Sequence, residues 1–119
     1  MTAPTPDEIT YIKDEKVLVV GFPDGVKFRL PAELLRVESP SAEVQGHHPS
    51  QKVLVHGRAH VGIIGIEPVG NYAVRLQFDD LHNSGIFTWQ YLYELGANQE
   101  RIWNTYLDNL HKAGLSRQP

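Results

Sequence analysis

The tightest constraint on this chain is the tripeptide Pro23-Asp24-Gly25. Pro presets φ, Asp bonds back to the backbone, and Gly admits positive φ, so the three together make a sharp turn. Before it stands the apolar run Val17–Phe22; after it, Val26-Lys27-Phe28-Arg29-Leu30 alternates apolar and polar. That alternation is the pattern of a strand with one buried face. Ile9–Lys13, set off by the polar turn Asp14-Glu15-Lys16, adds a third β-rich stretch, so residues 9–30 predict a three-stranded meander. The Pro- and Thr-containing residues 1–8 read as a frayed tail, and residues 9–117 as one domain.

Pro31 suits the first turn of a helix over Ala32–Arg36, which Pro40 stops. Residues 37–52 lack periodicity and predict a long irregular loop, the kind that is often functional. Val53–Val55 and Val61–Ile66 read as strands, with Gly62 and Gly65 marking a bulge or a close backbone approach. Pro68-Val69-Gly70-Asn71 reads as a turn, and Tyr72–Phe78 as a strand with Tyr72, Val74, Leu76 and Phe78 on one face. A polar loop, Asp79–Gly85, leads to a short strand at Ile86-Phe87. Thr88 is placed to cap a helix over Trp89–Leu95 that Gly96 ends; Asn98 is placed to cap Gln99–Ala113, closed by Gly114. Ile102, Tyr106 and Leu110 recur every four residues, and Trp103 and Leu107 widen the stripe. Strands early and helices late predict an α+β fold: a mainly antiparallel β-sheet with two C-terminal helices packed on one face.

The absence of Cys excludes disulfides, thiolate zinc sites, iron–sulfur ligation and a Cys nucleophile. A net charge of −3 with scattered basic residues gives no nucleic-acid stripe. The longest apolar runs fall far short of the ~20 residues of a membrane span. MTAPTPDE has neither the basic nor the apolar region of a signal peptide, so a cytoplasmic location is expected. No His is followed two residues later by an acid, which removes the sequential half of a two-His-one-carboxylate iron site. Gly65 and Gly70 have phosphate-loop spacing, but Asn71-Tyr72 replaces the Lys-Ser/Thr pair that would hold phosphate and metal. His47-His48 and His82 lie in polar loops beside Asp79-Asp80 and could bind zinc if the loops meet; solvated loops are the plainer reading. A Ser84, His82, Asp79 triad lacks any residues that would build an oxyanion hole.

Four stretches together carry a resemblance. They are Leu34-Leu35-Arg36 running into Ser39-Pro40-Ser41-Ala42-Glu43, then Ile66–Val74 (IEPVGNYAV), Phe78–Trp89 (FDDLHNSGIFTW), and Trp103-Asn104-Thr105-Tyr106-Leu107. Over about residues 15–117 the chain resembles the gamma-butyrobetaine hydroxylase-like N-terminal domain family. The resemblance implies a domain that precedes an oxoglutarate- and iron-dependent catalytic domain in the hydroxylase, trails certain iron–sulfur carrier ATPases, and often stands alone in bacteria. This chain resembles the stand-alone kind, and the absent iron motif agrees with an absent oxygenase domain. In the hydroxylase the domain holds a structural zinc through three Cys and one His. The corresponding positions here are Ser39, Ser41, Val44 and His82. A neutral Ser is a poor zinc ligand and Val is none, so no cofactor is expected. The family's common Gly before that His is Leu81.

The resulting expectation is a non-catalytic module, not an enzyme. It recognises a protein partner or small ligand, in an accessory role tied by the resemblance to oxygenase or iron–sulfur metabolism. The alternative is a metal-binding protein using His82 and His47. The binding surface is expected where the Ser39–His48 loop meets the Asn71-Tyr72 turn and the Asp79–Ser84 loop, because loops on a rigid sheet carry recognition. Arg36 is the expected anchor, paired with Asp80 or an acidic ligand. The expected binding residues are Arg36, Asn71, Tyr72 and Asp80.

Overall fold

The structure, a computed structural model, describes residues 4–46 and 48–119; His47 lies outside the described residues. The meander forms as expected: β1 (Glu8–Ile12), β2 (Val17–Gly21) and β3 (Lys27–Pro31) make one antiparallel sheet. Gly25 takes φ 88°, and Asp24 Oδ1 accepts the Val26 N–H at 2.9 Å, so the turn uses its residues as their chemistry dictates. A second antiparallel sheet follows from β4 (Ile63–Val69), β5 (Ala73–Phe78) and β6 (Ile86–Thr88). The α+β class stands, with its strands divided between two three-stranded sheets. A bulge at Ile63/Gly65 leaves Ile64 pointing out. The expected turn at Pro68 shifts to Gly70, because β4 is an edge strand, where a proline need not donate to the ladder. Tyr72 consequently falls in the turn and is exposed, while Val74, Leu76 and Phe78 are buried as expected.

The two sheets share one core. Leu18, Val20 and Leu30 come from the first; Val74, Leu76 and Phe78 come from the second. Leu34 and Leu35 of α1 (Ala32–Val37) and Leu92 and Leu95 of α3 (Trp89–Ala97) complete it. Thr88 caps α3, its Oγ1 accepting the Tyr91 N–H at 3.1 Å. Gly96 does not end that helix, as its sequence position suggests, but lies inside it. The Phe28 ring packs where a Cβ would stand, so tertiary packing sets the residue type. Asn98 turns its side chain back to the Glu94 carbonyl and makes no side-chain cap on α4 (Gln99–Ala113). Gly114 closes α4 at φ 68°, with Leu115 N–H bonded to Leu110 O at 2.9 Å.

α3 packs on β3 and β6, and α4 packs on α3. The apolar stripe of α4 supports a second, smaller core in which Tyr106 and Leu110 meet Val37, Val44 and Val55. Trp103 packs against both cores. The expected irregular stretch contains a short helix, α2 (Ala42–Gln45), and a 3₁₀ turn at Pro49–Gln51. Val53–Val55 joins neither sheet. It is held by the Val53 N–H on Val44 O (2.6 Å) and by the Tyr106 hydroxyl on Val55 O (2.7 Å). The C-terminal residues fold back: Gly57 N–H bonds Ser116 O, Ala59 N–H bonds Arg117 O, and Arg117 forks onto buried Glu33 at 2.7 and 2.9 Å. Among the described residues no helix is long and apolar enough to cross a membrane.

Candidate functional site

The site assembles where the chain leaving α1 meets the loop leaving β5. Ser41 caps α2, its Oγ accepting the Glu43 N–H at 3.2 Å, which fixes Ser39, Ser41 and Glu43 along one short path. The Asp79–Gly85 loop is pinned by its own backbone: Phe78 N–H bonds His82 O and Leu81 N–H bonds Phe78 O. Asp79 locks the loop to the neighbouring strand, its N–H on Gly62 O and its Oδ2 accepting the Gly62 N–H. Leu81, at the bend, takes φ 74° and is 84% exposed. That left-handed backbone is one a glycine adopts without strain.

Arg36 and Asp80 do pair, Nε donating to Oδ2 at 2.7 Å. Arg58, which no sequence motif singles out, donates its Nε to the same oxygen at 2.7 Å, while Asp80 Oδ1 accepts the His82 N–H. Burial works to raise the Asp80 pKa. The Arg36 and His82 hydrogen bonds and the Arg36 charge, helped by Arg58, overcome it and hold the carboxyl below its ordinary value. Arg36 is only 9% exposed, and its Nη1 is buried with no partner among the described residues. The two charges thus engage each other inside the protein, and Arg36 positions the loop from beneath.

Beside this pair lies a chain of side-chain hydrogen bonds. Ser39 Oγ is 2.9 Å from His82 Nε2, and His82 Nδ1 is 3.2 Å from Glu43 Oε2. Ser41 and Ser84 hydroxyls meet at 2.6 Å. Burial and the Arg36 charge lower the His82 pKa against the opposing pull of Glu43 and Asp80, so the ring is neutral at neutral pH. With its Nδ1–H on Glu43, Nε2 accepts from the Ser39 hydroxyl. The order Ser39, His82, Glu43 has the connectivity of a nucleophile, base and orienting acid. It lacks access. Ser39 is fully buried, and Gly85 lies so close that a Cβ there would run into Ser39 Oγ. No substrate carbonyl reaches that oxygen.

The same contacts test the zinc that the resemblance implies. Ser39, Ser41 and His82 do converge, but both ring nitrogens of His82 already have hydrogen-bond partners. Val44 points into the smaller core. These residues do not fit zinc, and among the described residues no group of three or more His, Cys, Asp or Glu side chains is arranged to hold a metal ion.

Asn71 and Tyr72 are not part of this assembly. They sit at the opposite end of β5, roughly 20 Å away at about 3.4 Å per strand residue. There the Asn71 carbonyl accepts the Trp89 indole N–H at 2.9 Å, which ties the hairpin turn to the start of α3. The family model for gamma-butyrobetaine hydroxylase-like N-terminal domains matches residues 9–93. The chain belongs to this family. Three solved structures are similar to it. Two solution NMR structures superpose with TM-scores of 0.85, at 48% and 44% identity. They cover 98% of this chain and 92% and 87% of theirs. A crystal structure of a protein of unknown function from Acidithiobacillus ferrooxidans superposes with a TM-score of 0.66 at 43% identity, over 78% of this chain and 93% of that one. No curated protein matches the chain.

Proposed function

We propose that this domain is a non-catalytic recognition module of the cytoplasm, an accessory to oxygenase or iron–sulfur metabolism, which presents the Asp79–Ser84 loop to a protein partner. The observation that carries the reading is Leu81. It is a large apolar side chain, almost fully exposed, on a backbone whose left-handed conformation costs a branched residue about 1 kcal/mol or more. Asp79, Asp80 and His82 hold the loop rigidly beneath it. A rigid, strained, exposed apolar tip is the kind of feature that binding surfaces contain. Arg36 and Asp80 support the loop and Arg58, at its edge, offers the charge. The second expected patch, Asn71 and Tyr72, is a separate surface.

The test is affinity capture from the native cell with wild type, Leu81→Asp and Tyr72→Ala, each checked for unchanged folding by circular dichroism. A defined partner held by wild type and Tyr72→Ala but lost in Leu81→Asp supports the reading. The same partner retained by Leu81→Asp overturns it. The module is also expected to hold no structural zinc: elemental analysis that finds one equivalent surviving dialysis, and lost in His82→Ala, would promote the metal-binding alternative.

A further inference from the structure

A groove of roughly 470 Å³ opens between Val53–Val55 and α4 and shares no lining residue with the Asp79–Ser84 loop. That volume is in the range of small-ligand sites. Its floor is apolar: Val37, Val55 and Tyr106 line it, and all three are buried. Leu54 and Ile102, half-buried, extend the apolar surface outward. One rim is a polar row on α4. Arg101, Thr105 and Asn109 stand four residues apart, so they share a face and span about 12 Å along the helix axis. None of these three side chains makes a hydrogen bond or ion pair among the described residues.

Charge selects the occupant. Glu38 and Lys52, also at the groove, neutralise each other at 2.9 Å, so Arg101 leaves it with one uncompensated positive charge. We propose that this groove binds a small amphiphilic monocarboxylate, with a slender apolar body over Val37, Val55 and Ile102 and its carboxylate on the Arg101 guanidinium. A guanidinium offers a carboxylate two parallel N–H donors, and an apolar body removes the floor from water. One free cation balances one carboxylate, whereas a nucleoside polyphosphate brings several negative charges. A nucleobase also needs an open ring to stack on, and Tyr106 is buried with its hydroxyl spent on Val55 O at 2.7 Å. Thr105 and Asn109 add selectivity for a hydroxyl or amide group farther along the ligand.

The experiment titrates the full chain, labelled with nitrogen-15, with sodium octanoate below its micelle concentration and follows the backbone amide shifts. Saturable shifts are expected at Leu54, Ile102 and Thr105. Acetate has the charge without the chain and octanol the chain without the charge; each should bind wild type at least about tenfold more weakly than octanoate. Arg101 is exposed, so Arg101→Gln keeps the fold, and it should weaken octanoate binding at least about fivefold. Added salt should weaken it in wild type more than in Arg101→Gln. Leu81→Asp should leave the octanoate affinity unchanged, which separates this site from the loop. No saturation by about 10 mM octanoate, shifts confined to other surfaces, octanol or acetate binding as well as octanoate, or equal binding to Arg101→Gln would each overturn the proposal.

Discussion

Two regions of this molecule treat polar groups in opposite ways. Where Ser39–Glu43 meets Asp79–Gly85, side chains close almost every polar group against another: Ser39 on His82, His82 on Glu43, Ser41 on Ser84, and Arg36 and Arg58 on Asp80. Where Val53–Val55 runs beside α4, the backbone itself is left open at Leu54 between two tethers. The closed region has the connectivity of an active site, and burial keeps the Ser39 hydroxyl from solvent. The open region carries no motif and leaves one backbone donor and one acceptor unbonded among the described residues. Catalytic-looking connectivity is therefore a weaker guide to function than access.

The comparison breaks first at Asp80. Asp80→Ala leaves two guanidinium groups facing each other, one of them buried, and should cost about 3 kcal/mol in chemical denaturation. A loss below about 1 kcal/mol would mean that the closed region is held by its serines. His82→Gln at pH 7 removes the Glu43 bond and should cost about 2 kcal/mol. It also tests the sign of the pH dependence. The His82 pKa is lowered in the folded protein, so the unfolded chain binds the proton more readily. Its contribution is complete above the ordinary His value near 6.5 and falls as pH drops below it, through the lowered folded value. Melting curves between pH 8 and pH 5 should fall less steeply in His82→Gln than in wild type; parallel curves would remove His82 as a buried neutral ring.

The open region should respond more gently. Tyr106→Phe deletes the tether on the Val55 carbonyl, at a cost of about 1 kcal/mol, and should speed amide exchange in residues 53–55 while leaving the 79–85 loop protected. Burial, with Glu33 adding to it, pushes the Tyr106 pKa up to about 12, so this donor keeps its proton across the working range. The smallest effect is at the exposed tip. Leu81→Gly relieves a left-handed leucine and should raise stability by about 0.5 kcal/mol, the gain being reduced by the freer unfolded chain. A clear destabilisation would mean that Leu81 packs against the protein.

Local chemistry made much of the fold legible. The Pro23–Gly25 turn, the alternation through Val26–Leu30, the Thr88 cap and the left-handed Gly114 each act within a few residues, and each forms as its chemistry dictates. The misreadings are tertiary. Gly96 looks like a helix terminator, but it is a glycine because the Phe28 ring, from β3, lies over it. Val53–Val55 looks like a strand because β-branched residues favour extended backbone, whatever lies alongside. At the site, guanidinium and carboxylate chemistry made the Arg36–Asp80 pair legible. Arg58 was not legible, because nothing near it in sequence signals that it shares the Asp80 oxygen. Asn71 and Tyr72 look like neighbours of that pair because turns flank both ends of β5, but a strand's length separates what its two turns carry.

The fork of Arg117 onto Glu33 spans 84 positions of sequence. Domains assemble from the N-terminus as the chain emerges from the ribosome. Until residue 117 clears the exit tunnel, the nascent chain carries a carboxylate on α1 with no cation to meet it. Both sheets and all the described helices precede that partner in sequence. The Glu33 pair is therefore among the last contacts to form, and a chain cut before residue 117 leaves that carboxylate without its cation. The same geometry gives a practical instruction. A purification tag appended after Pro119 begins beside Gly57, against the backbone that the last residues occupy, whereas one placed ahead of Pro4 leaves the clasp free.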